Sequence, residues 1–160
     1  MQNIHPLMVH FPIALLFTAL LFDMLGWLLK KPELHSAAKW NLWLGTVGAA
    51  AAVGSGLWAA SIVEHGGEVH QIMETHETLG LVVLGISIVL SGWRLVKEIT
   101  FSQKPWLIFL ALLVIMLATM SVGAYLGGRM VYEYGVGGKA VAVEETGHEH
   151  GHSPHEHSQH

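Results

Sequence analysis

Four long apolar stretches dominate this sequence, from about Phe11 to Leu29, Ala37 to Ile62, Leu79 to Val96 and Trp106 to Gly127. Each is close to or above the roughly 20 residues an α-helix needs to cross a 30 Å hydrocarbon core. The chain is therefore predicted to be an all-α polytopic membrane protein, a four-helix transmembrane bundle with up-down topology over residues 1–138, followed by a polar tail over 139–160. Only 12% of the residues are charged and mean hydropathy is +0.47, whereas soluble domains carry roughly 25% charge. No Lys or Arg precedes the first stretch, so it is expected to be retained as a span rather than cleaved as a signal peptide.

Composition narrows the chemistry. The formal charge of -4 and the lack of a basic patch argue against a nucleic-acid partner. With no cysteine there is no disulfide, no thiolate-held iron–sulfur cluster and no haem attached through a C-x-x-C-H pattern, so any redox centre must be held non-covalently, mainly by His or Met. No nucleophile–base motif, phosphate loop or paired catalytic carboxylate is present, which argues against a hydrolase or transferase and against independent catalytic activity.

Four antiparallel spans put both termini and the second loop on one side of the membrane, side A, and the first and third loops on the other, side B. Side B carries Lys30, Lys31, Lys39, Arg94, Lys97 and Lys104; side A carries Arg129 and Lys139. The bias of Lys and Arg toward cytoplasmic loops makes side B cytoplasmic, with both termini on the periplasmic or outer face of a bacterial inner membrane. Trp27, Trp40, Trp43, Trp93 and Trp106 all fall near side B, as an interfacial aromatic belt would. The second span carries Gly45, Gly48, Ala52, Ser55 and Ala59 at three- and four-residue steps, which favours close helix packing or, alternatively, room for a flat cofactor.

Most histidines outside the tail gather on side A. In the opening run Ile4-His5-Pro6-Leu7-Met8-Val9-His10-Phe11-Pro12-Ile13-Ala14, Pro6 suits the first helical position, and Pro12 cannot donate to the Met8 carbonyl, so a kink or a late helix start is expected. His5 and His10 lie about 140° apart around an ideal helix, so only one faces the interior; His10, nearer the bilayer, is the better candidate. The segment Glu64 to Glu77 adds His65, His70 and His76. Below His76 run Gly80, Val83, Ser87 and Ser91, a small or polar stripe at helical spacing. In an up-down bundle the first and third helices are diagonal and parallel, so His10 and His76 would face each other at similar depth and suit two axial ligands of one metal or haem iron. The competing reading is that these rings are solvated, cap helix ends or bond neighbouring carbonyls; for His65 and His70 the solvated reading is favoured.

The runs His5-Pro6-Leu7-Met8-Val9-His10-Phe11-Pro12-Ile13-Ala14, His76-Glu77-Thr78-Leu79-Gly80 and Gly127-Gly128-Arg129-Met130-Val131-Tyr132 together resemble the bacterial membrane family catalogued as domain of unknown function 2231. The likeness covers about residues 1–138, the opening motif being its most specific part, and the matching positions of interest are His5, His10, His76, Gly127, Gly128 and Tyr132. The resemblance implies a small four-helix membrane module with a respiratory or haem-linked role. His65, His70 and the tail lie outside the pattern.

Asp23 lies well inside the first span, where an uncompensated carboxylate costs about 2.5–3.5 kcal/mol on insertion scales; Arg94, near the same side B end of the third span, is its expected ion-pair partner, a proton relay being the alternative. Arg129, close to the membrane on side A, suits either a haem propionate or the dipole at its helix C-terminus. Met116, Met120, Gly123 and Gly127 follow helical spacing on the fourth span and read as core filling. The tail alternates His148, His150, His152, His155, His157 and His160 with polar residues; it is expected to be disordered and able to chelate Zn²⁺, Cu²⁺ or Ni²⁺.

Three functional readings follow. The first is a non-covalent b-type haem module for electron transfer, with His10 and His76 as axial ligands, Arg129 as propionate partner, and His5 and Gly80 at the same site. The second is a divalent-metal binding or transport protein using the side A histidines and the tail. The third is a structural accessory membrane subunit. Beyond the bilayer, a redox protein, a quinone or a second copy of the chain are the partners these readings call for.

Overall fold

The computed structural model describes residues 5–61, 68–96 and 103–136. Four helices follow in order, α1 (His5–Leu29), α2 (Pro32–Ala60), α3 (Glu68–Val96) and α4 (Gln103–Tyr132), and all four are long and apolar enough to span a membrane. At 25 to 30 residues and 1.5 Å per residue they measure about 37–45 Å, so their ends emerge from a 30 Å core into the headgroup region. The helices begin earlier than the apolar stretches, because hydropathy does not register opening turns that carry polar residues such as His5, Glu33, His70 and Gln103.

Sequence neighbours pack side by side, and α1 and α3 lie across the bundle from each other. This is the expected up-down arrangement. The α1–α2 hairpin is the tightest pair, and the reason is local. Gly45 is so close to α1 that a Cβ there would stand 2.8 Å from Leu16 Cδ2, and one on Gly48 would stand 3.1 Å from Phe11 Cδ1 and 3.3 Å from the Pro12 ring. The small residues of α2 are thus used for packing in this stretch. Pro12 neither delays nor interrupts α1, which starts at His5 and runs through it; its ring is buried against the glycine face of α2. The late start anticipated from Pro12 does not occur.

Two residues join α1 to α2. Lys30 takes the left-handed conformation (φ 55°) and the Lys31 N–H donates to the Gly26 carbonyl at 3.0 Å, a Schellman-type termination with lysine where glycine is usual. Lys31 is extended and Pro32 opens α2 at once, as the restriction on residues before proline favours.

Leu16, Ala19, Leu42, Val83, Leu90, Phe109, Leu113, Met116 and Leu117 form the buried centre, and Met116 is core filling, as its spacing suggests. Polar side chains tie α2 to α3 within it. Thr46 Oγ1 meets Ser91 Oγ at 2.8 Å, and Trp43 Nε1 donates to the Ser91 carbonyl at 3.3 Å. Not all the side B tryptophans form a belt: Trp106 is buried and stacks on Trp27 (centroids 5.3 Å apart), and Trp93 packs edge-on against Phe109.

Candidate functional site

Counting back along the buried face of α1 from Asp23 through Ala19, Leu16 and Pro12 leads by steps of three, four and seven to His5. That face therefore carries His5 toward the bundle centre, while His10 falls on an exposed part of the helix. The ring that meets His76 is accordingly His5. The two centroids are 6.2 Å apart with planes at 89°. Depth in the bilayer favours His10, but the phase of α1 turns His10 to an exposed face and His5 toward the interior.

Each ring of the pair is anchored by the helix beside it in sequence. His5 Nδ1 lies 2.9 Å from Ser55 Oγ, which in turn donates to the Ala52 carbonyl at 2.8 Å. With its hydrogen used on Ala52, the hydroxyl accepts from His5. His76 Nδ1 donates to the Gly123 carbonyl at 2.8 Å. Both imidazoles therefore carry their proton on Nδ1, which leaves Nε2 as the basic nitrogen. Each ring also lies on a glycine: a Cβ on Gly56 would stand 3.0 Å from His5 Cε1, and one on Gly127 would stand 3.1 Å from His76 Cε1. Burial first, and the neighbouring His76 ring second, hold the His5 pKa below the ordinary 6.5, against an upward pull from the Ala52 carbonyl. A neutral imidazole is the form that ligates metals.

The other predicted residues are placed as follows. Gly80 faces α2, where an added Cβ would touch Val53 at 3.7 Å. Arg129 is engaged by Glu133, with Nε and Nη2 each 2.8 Å from Oε2, and it holds the Glu133 carboxyl below its usual pKa. Beside it, Gln71, Ile72, Thr75 and Leu126 complete a groove of about 260 Å³. His70 pairs with Glu74 at 3.3 Å on the exposed start of α3. His65 and the tail histidines lie outside the described residues. Among the described residues, no group of three or more His, Asp or Glu could enclose a metal ion.

At the side B end a second polar cluster is almost fully enclosed. Asp23 and Arg94 form the expected ion pair, Nη2 reaching Oδ2 at 2.6 Å and also contacting Oδ1. Their side chains are 2% and 6% exposed, so Arg94 turns inward instead of snorkelling to the interface. Sequence reasoning missed the third member, His35, whose Nδ1 donates to Asp23 Oδ1 at 2.9 Å. Arg94 Nη1 adds a longer bond to the His35 carbonyl at 3.3 Å and its guanidinium lies over Phe109. Gly26, one turn after Asp23 on the same face, makes room for the imidazole: a Cβ there would stand 2.8 Å from His35 Nε2. That i, i+3 spacing of Asp and Gly was the available signal.

A family model described as Predicted membrane protein (DUF2231) matches residues 1–140. The chain belongs to this family. Comparison of this DUF2231 protein with curated proteins and with solved structures gives no match. Its family membership and its four spans make it a multi-pass membrane protein.

Proposed function

We propose that this DUF2231 protein is a small electron-transfer module whose His5 and His76 would together hold a non-covalently bound b-type haem. The observation that carries the reading is the separation of the two rings. His5 and His76, on the diagonal helices α1 and α3, bring two imidazole rings to 6.2 Å centroid to centroid at one end of the bundle, so that both would hold the same group. Hydrogen bonds from both Nδ1 atoms fix the tautomer and ring orientation that ligation through Nε2 requires.

The donor set favours haem over a bare ion. Zinc takes three or four protein ligands, whereas haem iron brings four equatorial nitrogens and asks the protein for two. The flanking helices are small at this level, with Ala52 and Gly56 on α2 and Gly123 and Gly127 on α4. Bound haem would supply one-electron redox chemistry. The chain's own part is to orient the two imidazoles through Ser55 and Gly123 and to hold them between its helices. Arg129, already paired with Glu133, is left out of the site. On the charge distribution the pair faces the periplasmic or outer side of a bacterial inner membrane, where a redox protein or a quinone would exchange electrons with it.

An optical spectrum of the full chain expressed with ample haem, before and after dithionite, tests this. A low-spin spectrum is expected, lost in His5→Ala and in His76→Ala and kept in His10→Ala. Absence of any Soret band sinks the proposal. The density of histidines in the tail supports a second reading, divalent-metal binding: bound zinc or copper that disappears with removal of residues 139–160 would assign metal to the tail, and metal that remains would place it in the bundle.

A further inference from the structure

The surroundings of the two interior histidines fall at equivalent positions of the two hairpins. His5 and His76 are 71 residues apart in sequence, and so are the glycines beneath their rings, Gly56 and Gly127. The carbonyl that accepts from the Ser55 hydroxyl on the His5 side, Ala52, is 71 residues before Gly123, which accepts directly from His76. At the other end of the bundle Asp23 and Arg94, the ion pair, are again 71 residues apart.

Burial repeats with the same offset. On α1, Pro12, Leu16 and Ala19 are buried, and Val83, Ser87 and Leu90 are their equivalents on α3. On α2, Leu42, Gly45 and Ala52 correspond to Leu113, Met116 and Gly123 on α4, all buried. Residue identity is not what repeats: apart from His5/His76, Leu42/Leu113 and Gly56/Gly127, these equivalent positions hold different side chains. What repeats is which face is inside and what meets what.

Two hairpins with the same internal geometry, both entering from side A, are related by a two-fold axis along the membrane normal. A residue on that axis meets its own equivalent. Two pairs do so here, His5 with His76 and Asp23 with Arg94. They are 18 residues apart on each helix, five full turns, or about 27 Å along the bundle. We propose that the protein is one helical hairpin duplicated in tandem, and that the group it binds sits on the pseudo-two-fold axis, held by the same nitrogen of His5 and of His76. The binding half of this statement rests on the bis-imidazole reading above; the duplication stands without it.

The axis also explains the charges. Two neutral imidazoles can meet across a two-fold, but two aspartates or two arginines buried together cannot both stay ionised. A pair of identical hairpins could not place a charge at this position; a tandem chain can, by putting Asp on one copy and Arg on the other. Symmetry is broken most at this end, where His35 on α2 has Trp106 as its equivalent on α4. It is also uneven at the seams, α2 meeting α3 more extensively than α1 meets α4.

Two measurements on the full-length protein in lipid nanodiscs test the proposal. Without haem, ¹⁵N-histidine NMR, with assignments from His5→Gln and His76→Gln, should show both rings as the Nδ1–H tautomer. Different tautomers would overturn the equivalence whether or not haem binds. With haem, His5→Ala and His76→Ala should each leave a five-coordinate spectrum and weaken haem binding to the same extent within about threefold. The matched pair Gly56→Ala and Gly127→Ala should agree with each other as closely. One member of either pair abolishing binding while its equivalent leaves it intact places the site off the axis. Failure of the wild-type protein to bind haem refutes the electron-transfer reading and the binding half, leaving the tautomers to decide the duplication.

Discussion

Replacing Arg94 with methionine removes both guanidinium contacts to Asp23 and keeps an unbranched apolar side chain in their place. The carboxylate, 2% exposed, would be left with the single bond from His35 Nδ1. Breaking a buried ion pair by deleting one partner costs about 3–5 kcal/mol. An upper limit comes from the escape route: protonating an ordinary carboxyl at pH 7 costs about 4 kcal/mol. The expected loss is therefore about 3–4 kcal/mol. Asp23→Leu should cost a similar amount, because Arg94 would keep only the His35 carbonyl and the Phe109 face. In the double variant both charges are gone and the remaining penalty is the orphaned His35 N–H, about 1–3 kcal/mol. The double variant should thus be more stable than either single one, with a coupling energy of several kcal/mol. Reversible unfolding in mixed micelles of increasing SDS fraction, followed by far-UV circular dichroism, measures all four corners of the cycle. A loss below about 1 kcal/mol for Arg94→Met, the range of exposed ion pairs, would show that this cluster is hydrated and refute the reasoning.

Gly45→Ala should destabilise by about 1–3 kcal/mol in the same assay, since the new methyl meets Leu16 at 2.8 Å, while Gly54→Ala, with nothing within 4 Å, should stabilise by about 0.5–1 kcal/mol. His5 contributes a pH dependence of fixed sign. Its folded pKa is depressed, so the unfolded chain takes a proton first as pH falls below about 6.5, and stability present above that pH is lost on the way down to the folded pKa; His5→Gln should flatten that limb of the SDS midpoint against pH. Glu133→Gln removes an exposed ion pair and should leave the midpoint unchanged.

Hydropathy exposed the four spans because a bilayer leaves little freedom: the length of an apolar run fixes the element, and the alternation of successive spans fixes which ends lie together. Asp23 and Arg94 were legible for a related reason. A charge inside a span needs a partner at its own depth, and a single candidate stood there. His5 was harder, since depth spoke for His10 while helical phase, counted from Asp23, spoke for His5. Phase decides, because a helix has no means of rotating one side chain through 140°. His35 left a weaker trace, as its partners come from two other helices and no periodicity of its own sequence announces them.

The stacked indoles of Trp27 on α1 and Trp106 on α4, 5.3 Å apart and 19° from parallel, span the slimmer of the two seams between the hairpins. Aromatic chromophores at that distance share their excited states, so their near-ultraviolet dichroism depends on the gap between them. The protein thus carries a built-in optical ruler across the seam where the hairpins would part, readable without labels in a chain that has no cysteine to attach one to.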